Sequence, residues 1–281
     1  MSSPAPTISL EYFPPRTEKG AQGLAAARAE LKLLKPSYVS VTFGAGGSTQ
    51  DGTYATIKSI LEEDGVDAAP HISCISSSRR ELADMLEAYR DLGVKRLVAL
   101  RGDVPSGYGT MDAAELRYAN ELVAFIREQT GDHFHIEVAA YPETHPQARS
   151  AQDDLDNFKR KVDAGANSAI TQYFFNPDAY YAFMDSCSKL GLDIPVIPGI
   201  MPITNYKQLA RFSDTCGAEI PRWIRKRLEG YGDDLASIRE FGFDVVLGLC
   251  EKLLDGGAPG LHFYSMNRTE PTRALWKALD L

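Results

Sequence analysis

The sequence predicts a single-domain α/β protein of the (β/α)8, or TIM, barrel class. Segments rich in β-branched and aromatic residues alternate with helical patterns through nearly the whole chain, which is typical of repeated βα units and a parallel sheet. Leu97–Leu100 is apolar without alternation, as expected of a strand covered on both faces. A length of 281 residues suits one barrel, so we expect a single domain over residues 1–281.

Eight segments are predicted to be strands, each followed by a helix, and this number favours a closed barrel over an open sheet. The carboxyl ends of all the strands would then surround one mouth, where barrel proteins bind their ligands. The predicted strands are Ile8–Phe13, Tyr38–Phe43, Ala69–Ile75, Arg96–Arg101, His135–Tyr141, Ala169–Phe174, Pro195–Ile200 and Gly260–Ser265.

Helix boundaries are predicted from capping residues and from the distance between strands. Ser78 and Glu81 have the spacing of a capping box ahead of an apolar helical stripe. Ser150–Ala164 is also predicted to be helical and to end at a glycine. The segment between the last two predicted strands is long. We therefore expect an extra helix over Pro221–Leu228, before a helix over Leu235–Leu254 and the last strand.

Composition and charge restrict the partners and the location. A formal net charge of −8 argues against binding to nucleic acid or to an anionic membrane, so any phosphate site must be local. No segment is long and apolar enough to span a bilayer, and the N-terminus lacks the pattern of a signal peptide. The cysteines are far apart and no metal-ligand cluster is evident, so we expect a cytoplasmic protein with reduced cysteines and no metal.

Polar residues follow most of the predicted strands. Arg101 and Asp103 come directly after the fourth strand, and Gly102 between them allows a close approach of the backbone to a ligand. For Glu11, a local ion pair with Arg16 is a simpler explanation than a role in a ligand site. The candidates at the mouth are Glu11, Thr42, His71, Arg101, Asp103, Tyr141, Glu143, His145, Gln172, Asn267 and Arg268. Their common placement predicts a single large site.

The helix after the fifth strand carries charged and polar residues at near-helical spacing. A solvated surface is the usual interpretation of such a run. Alternatively, Arg160 and Lys161 neutralise a diphosphate while Asp154 and Asn157 bind hydroxyl groups of a ribityl or ribose chain. The position of this helix favours neither interpretation.

Several ordered motifs together resemble methylenetetrahydrofolate reductase. The resemblance spans almost the entire chain and implies a flavin-binding (β/α)8 barrel. It also implies reduction of 5,10-methylenetetrahydrofolate to 5-methyltetrahydrofolate with electrons from NADH or NADPH. The motifs are Glu11–Arg16, Val39–Thr42, Ala69–Cys74, Leu100–Asp103, Ala140–Pro146, Lys159–Asn167, Ile170–Phe175 and His262–Arg268.

The resemblance also implies which residues bind FAD. Phe43 stands where relatives often have tyrosine, so only a backbone or ring contact is expected from it. The loop of residues 104–111 is longer than in some relatives, and this affects the assignment of Ala119. The implied contacts are Thr42, Phe43, His71, Arg101, Gly102, Asp103, Ala119, Tyr141, His145, Ala148, Asp154, Asn157, Arg160 and Lys161.

The same resemblance implies that folate and nicotinamide share the exposed face of the flavin. Glu11 would be the acid that protonates folate N10, and Asp103 would tune the flavin and orient the folate. We also expect a homo-oligomer. The implied substrate-binding residues are Asp103, Gln172, Gln208, Phe212 and Arg268.

Two other functions stay open at the level of sequence. Another FAD-binding barrel oxidoreductase, such as a proline dehydrogenase, shares the fold and cofactor but lacks the Glu11–Pro15 motif. A flavin-binding protein without catalysis is the second alternative. Intact Glu11, Asp103 and Gln172 argue against it.

Overall fold

The computed structural model describes residues 5–43, 50–75, 77–102 and 115–281. Within these residues, nine strands pair in parallel to form one sheet. The strands are β1 (Thr7–Tyr12), β2 (Tyr38–Val41), β3 (Ala68–Ser73), β4 (Arg96–Leu100), β5 (His135–Ala140), β6 (Ser168–Thr171), β7 (Val196–Ile197), β8 (Gly199–Ile200) and β9 (Gly260–Tyr264).

The sheet closes into a barrel through a strand that is split in two. Its order is β7-β6-β5-β4-β3-β2-β1-β9-β8, so β7 and β8 lie at its two ends. Only Pro198 separates them, and its carbonyl accepts a hydrogen bond from the His262 backbone. Proline has no N–H for the ladder, which explains why the predicted seventh strand is interrupted there. The predicted (β/α)8 barrel is confirmed.

Helices surround the barrel, and the predicted capping box is confirmed. Ser78 and Glu81 form a capping box, and Ser150 caps the helix after β5. The predicted extra helix is also present before β9. The helices are α1 (Glu18–Leu31), α2 (Gln50–Ser59), α3 (Arg79–Asp91), α4 (Ala119–Thr130), α5 (Ala151–Asp163), α6 (Pro177–Lys189), α7 (Tyr206–Cys216), α8 (Arg222–Tyr231), α9 (Leu235–Asp255) and α10 (Thr272–Ala278).

The apolar core has two parts, one outside the strands and one inside the barrel. The larger part packs the outward side chains of the strands, such as Leu10, against the helices. A small separate cluster of Tyr38, Ala69, Val98 and Ile170 lies apart from it. Successive residues of a strand point to opposite faces, so the residues that alternate with the outer core fill the barrel. In the described part of the chain, no helix is long and apolar enough to cross a membrane.

Close contact between β1 and β9 requires a glycine at position 260. A Cβ there would overlap the backbone carbonyl of Thr7. We expect Gly260→Ala to lower the free energy of unfolding by about 1–3 kcal/mol, the usual cost of overpacking. Gly248→Ala is the matched control, because that glycine lies within α9 with open space around it. There we expect stabilisation of about 0.5–1 kcal/mol. Urea unfolding checks both values, and equal effects would contradict this account.

Candidate active site

The carboxylate of Glu11 lies at the carboxyl end of β1, between two histidines from other strands. Its Oε2 is 3.4 Å from His71 Nε2 and 3.6 Å from His262 Nε2. The Glu11 side chain is 17% exposed. Leu10 and Tyr12, the neighbours of Glu11 in β1, belong to the outer core, because successive residues of a strand point to opposite faces. Side chains of other strands surround Glu11.

Two of the groups near Glu11, His71 and Tyr264, are held neutral by burial. Burial lowers the pKa of His71 to about 4, although the nearby Glu11 carboxylate opposes this. Burial, followed by the Glu11 carboxylate, raises the pKa of Tyr264 well above its usual value. The Tyr264 hydroxyl donates to the Thr171 carbonyl over 2.8 Å. At neutral pH, therefore, His71 and Tyr264 bring no charge to the carboxylate.

The loop after β9 holds the end of β1 in place. Ser265 Oγ donates to the Glu11 carbonyl at 2.6 Å. The Asn267 side chain accepts from Phe13 N at 3.0 Å and donates to Phe13 O at 2.8 Å. Asn267 adopts a left-handed conformation with φ 54°. Asn267 was predicted to lie at the mouth, and its side chain there orients the backbone that carries Glu11. Arg268 follows it and is exposed at the same rim.

Buried polar atoms without hydrogen-bond partners mark the same end of the barrel. Among the described residues they include Ser40 Oγ, Thr42 Oγ1, His71 Nε2 and His262 Nε2. The two histidine atoms are within ion-pair distance of Glu11 but make no hydrogen bond. A buried polar atom without a partner costs about 1–3 kcal/mol, so a cluster of them indicates a surface that a ligand completes.

A second cluster connects the loops after β4 and β5 to α5. Arg101 donates to Gln147 Oε1 at 2.6 Å, and Gln147 N donates to His145 Nδ1 at 3.0 Å. His145 N donates in turn to Asp154 Oδ2 at 2.8 Å. The Tyr141 ring lies edge-on to the His145 ring, with 4.5 Å between centroids. Four predicted residues are thus brought together, and Gln147 is a member that the sequence analysis missed.

The four polar residues of α5 predicted to bind the cofactor fall into two groups of two. Lys161 is half-buried, and its Nζ donates to the Ala139 carbonyl at 2.6 Å. Burial lowers the Lys161 pKa to about 8, with Asp154 acting in the opposite sense. Arg160 is exposed and donates to Asn157 Oδ1 at 2.8 Å. Lys161 and Asp154 are therefore turned toward the strand ends, whereas Arg160 and Asn157 contact each other.

The backbone after β4 passes close to β3. Ser73 Oγ donates to the Arg101 carbonyl at 2.8 Å. Gly102 has φ 87°, and a Cβ there would overlap Ser73 Oγ. Glycine is thus required at this turn both for its conformation and for space.

The remaining predicted cofactor residues are less informative. Phe43 is half-buried just after β2, and Ala119 is the first residue of α4. Ala148 lies in a turn in which its N–H donates to the His145 carbonyl. Asp103 lies outside the described residues.

The predicted substrate residues Gln172, Gln208 and Phe212 lie just after β6 and on α7. Gln172 follows β6, and its Oε1 accepts from Tyr173 N at 3.1 Å. A hydrogen bond of 3.0 Å between the Tyr173 hydroxyl and Ser213 Oγ fastens α7 to this strand end. Gln208 and Phe212 are half-buried and one helical turn apart, so they share a face of α7.

A small pocket opens between this strand end and the C-terminus of α7. Glu143 is part of its wall and accepts from Glu219 N at 2.8 Å. Burial raises the pKa of Glu143, while this hydrogen bond lowers it. The lining residues are Tyr141, Pro142, Glu143, Thr144, Gln172, Tyr173, Cys216, Gly217 and Ala218.

Two site residues on β9 were not predicted. His262 and Tyr264 alternate on this strand and both face Glu11, whereas the candidates chosen next to this strand were Asn267 and Arg268, beyond its end. Their two-residue spacing on a predicted strand was the available signal. Over the described ranges, no group of three or more histidine, cysteine or acidic residues could hold a metal ion.

Comparisons with known proteins give consistent results. The model of the family described as Methylenetetrahydrofolate reductase matches residues 1–280. Over 274 residues the chain is 43% identical to 5,10-methylenetetrahydrofolate reductase of Salmonella typhimurium, covering 98% of this chain and 90% of that protein. The Escherichia coli protein of the same name is 42% identical with the same coverage. Methylenetetrahydrofolate reductase (NADH) 1 of Zea mays is 36% identical over 92% of this chain and 46% of that protein.

A solved structure has the same fold. It is an uncharacterized protein from Clostridium thermocellum that binds two copies of 5-methyl-5,6,7,8-tetrahydrofolic acid. The match has a TM-score of 0.68 at 18% identity and covers 98% of this chain and 95% of that protein. At this identity the similarity concerns the barrel alone.

The buried His71 predicts a pH-dependent stability. Its pKa is about 4 in the folded state and near 6.5 in the unfolded state, so the unfolded state binds more protons between these values. The contribution of His71 to the free energy of unfolding is complete above its pKa in the unfolded state and is lost as the pH falls toward 4. When the pH is lowered from about 7.5 to about 5, the free energy of unfolding should fall less in His71→Gln than in the parent. We expect the two decreases to differ by about 1–2 kcal/mol. Urea unfolding at both pH values decides, and equal losses would contradict the prediction.

Proposed function

Because the chain belongs to the methylenetetrahydrofolate reductase family, we propose that it reduces 5,10-methylenetetrahydrofolate to 5-methyltetrahydrofolate, with FAD as bound cofactor and NADH or NADPH as electron donor. The name of the maize relative favours NADH. The observation that carries the proposal is the half-buried Glu11 carboxylate at the carboxyl end of the barrel, between two histidines. Barrel enzymes have their catalytic groups at this end.

The residues at the mouth fit a flavin dinucleotide. Thr42 Oγ1 and His71 Nε2 are buried polar atoms that lack hydrogen-bond partners in the described structure. Lys161 offers a half-buried amine, and phosphate favours its charged form. Gly102 allows close approach of the backbone. The residues that would hold the cofactor are Thr42, His71, Arg101, His145, Asp154 and Lys161.

The chemistry needs both a redox group and an acid. A bound flavin would accept hydride from the nicotinamide and deliver it to the folate. Glu11 would protonate folate N10 as the methylene bridge opens, which leaves an electrophilic iminium carbon. Gln172 would hydrogen-bond the pterin, since an amide both donates and accepts. Asp103 would oppose the build-up of negative charge near the flavin ring.

The first test is an absorption spectrum of the purified protein, before and after addition of NADH. A flavin spectrum that NADH bleaches and methylenetetrahydrofolate restores supports the proposal. A protein that binds no FAD overturns it. A flavin that is reduced and then left unchanged by the folate indicates a different oxidoreductase.

Glu11→Gln should separate the two half-reactions. The nicotinamide half-reaction transfers hydride between two rings and needs no acid, so we expect FAD reduction at nearly the parent rate. The folate half-reaction should fall by roughly 10²–10⁴-fold, the usual contribution of a positioned acid. Stopped-flow absorbance follows each half-reaction alone. Equal slowing of both would mean that Glu11 has a structural role.

Lys161→Met should weaken FAD binding. A charge-assisted hydrogen bond to phosphate contributes about 1.5–3 kcal/mol, so we expect the dissociation constant to rise by roughly 10–100-fold. Lys159→Met is the matched control on the same helix, because Lys159 bonds Asp163 at 2.8 Å on the surface. Fluorescence titration of the apoprotein with FAD measures both constants. An equal effect of the two substitutions would assign Lys161 to the solvated surface.

A further inference from the structure

The backbone of Arg101 is fixed at the end of β4 by hydrogen bonds from the neighbouring strand. Its carbonyl accepts from Ser73 Oγ at 2.8 Å and from Ile75 N at 3.0 Å, and Cys74 Sγ contacts it at 3.4 Å. The starting point of the Arg101 side chain is therefore set by β3 and the residues after it. What remains to be placed is the long, flexible guanidinium side chain itself.

The guanidinium of Arg101 is held by neutral acceptors. Its Nη2 donates to Gln147 Oε1 at 2.6 Å, and its Nε donates to the carbonyl of the adjacent Gly102 at 3.2 Å. An amide oxygen directs a guanidinium without cancelling its charge, as a carboxylate would. A guanidinium also offers more N–H groups than these contacts use, so donors remain for a ligand.

Gln147 is fixed in turn from the side of α5. Its backbone N–H donates to His145 Nδ1 at 3.0 Å, and the backbone N–H of His145 donates to Asp154 Oδ2 at 2.8 Å. Asp154 belongs to α5. The hydrogen bonds thus run from α5 through the loop after β5 to the guanidinium after β4. Gln147 is the residue that joins the two loops.

This bridge sets where Arg101 stands relative to Lys161, another cation among the residues that would hold the cofactor. Lys161 lies on α5, and its Nζ is held by the Ala139 carbonyl at 2.6 Å. Both cationic side chains are therefore directed before a ligand arrives. Groups that are already ordered lose less conformational freedom on binding, which raises affinity.

Neighbouring polar side chains of the same loop are engaged elsewhere. Arg149 pairs with Asp153 at 2.9 Å, and Glu143 accepts from Glu219 N at 2.8 Å. Without the Gln147 amide, the Arg101 guanidinium would exchange this contact for water and sample more conformations.

We propose that Gln147 is a positioning residue of the cofactor site, whose side-chain oxygen holds the Arg101 guanidinium in the direction of acceptor oxygens of FAD. The inference rests on the proposed function, in which FAD is the cofactor and Arg101 contacts it. Gln147 acts through Arg101, so its contribution exists only while the guanidinium is present.

Gln147→Met tests the inference, because it keeps the length of the side chain and removes the acceptor oxygen. Gln147→Glu is the conservative variant, since its carboxylate still accepts from Arg101. Gln152→Met is the matched control, because Gln152 is also exposed and its Nε2 donates to Asp156 Oδ1 at 2.9 Å on the surface of α5. Arg101→Met and the double variant complete a double-mutant cycle.

The first readout is ¹⁵N NMR relaxation of the arginine Nε groups in the full chain without FAD, with the Arg101 signal assigned by its loss in Arg101→Met. We expect a rigid Arg101 in the parent, in Gln147→Glu and in Gln152→Met, and fast motion of its side chain in Gln147→Met. No cofactor is needed. Equal mobility of Arg101 in the parent and in Gln147→Met overturns the inference.

The second readout is the dissociation constant of FAD, measured by fluorescence titration of the apoprotein. In Gln147→Met we expect it to rise by roughly 3–10-fold, the usual effect of one hydrogen bond, with no change in Gln152→Met. The double variant should match Arg101→Met, because Gln147 has nothing left to hold. Additive effects of the two substitutions overturn the positioning role. A parent that binds no FAD overturns the proposed function instead, and the relaxation result still decides whether Gln147 holds Arg101.

Discussion

The half-buried carboxylate of Glu11, facing two histidine Nε2 atoms, is the interaction on which the rest of the site depends. Within the described residues its ion-pair partners are His71 and His262, and burial keeps His71 neutral. Neither histidine makes a hydrogen bond to the carboxylate. The hydrogen bonds from Ser265 and Asn267 fix the backbone at Glu11 and at Phe13, two residues further on, and hold this geometry.

The polar interior is supported by an apolar exterior. A buried ion pair such as that of Arg96 and Glu137 contributes little net stability, because desolvation offsets its attraction. The packing of strands against helices forms a much larger apolar cluster, in which residues such as Leu10 and Phe263 are fully buried. Stability is thus supplied by the outer layer. This leaves the inside of the barrel free to carry groups chosen for proton and ligand binding.

The sequence predicts the barrel and the mouth because both depend on local patterns. Strand and helix periodicity locate the elements, and parallel strands bring Glu11, His71 and Gln172 to one end. Which residues inside different strands meet depends on register and strand tilt, and a single sequence does not encode these locally. His262 and Tyr264 were missed for this reason. Lys161 and Arg160 are adjacent on α5, and only the docking of that helix distinguishes the half-buried amine from the exposed guanidinium.

The central claim is that Glu11 is placed to protonate the folate. It is tested most directly by a crystal structure of Glu11→Gln, which keeps the shape of the side chain, with FAD and methylenetetrahydrofolate bound. The account predicts that the side-chain amide lies within hydrogen-bond reach of folate N10, about 2.6–3.2 Å away, or one water molecule from it. A folate bound with N10 turned away from residue 11, while the amide contacts only His71 and His262, would contradict it.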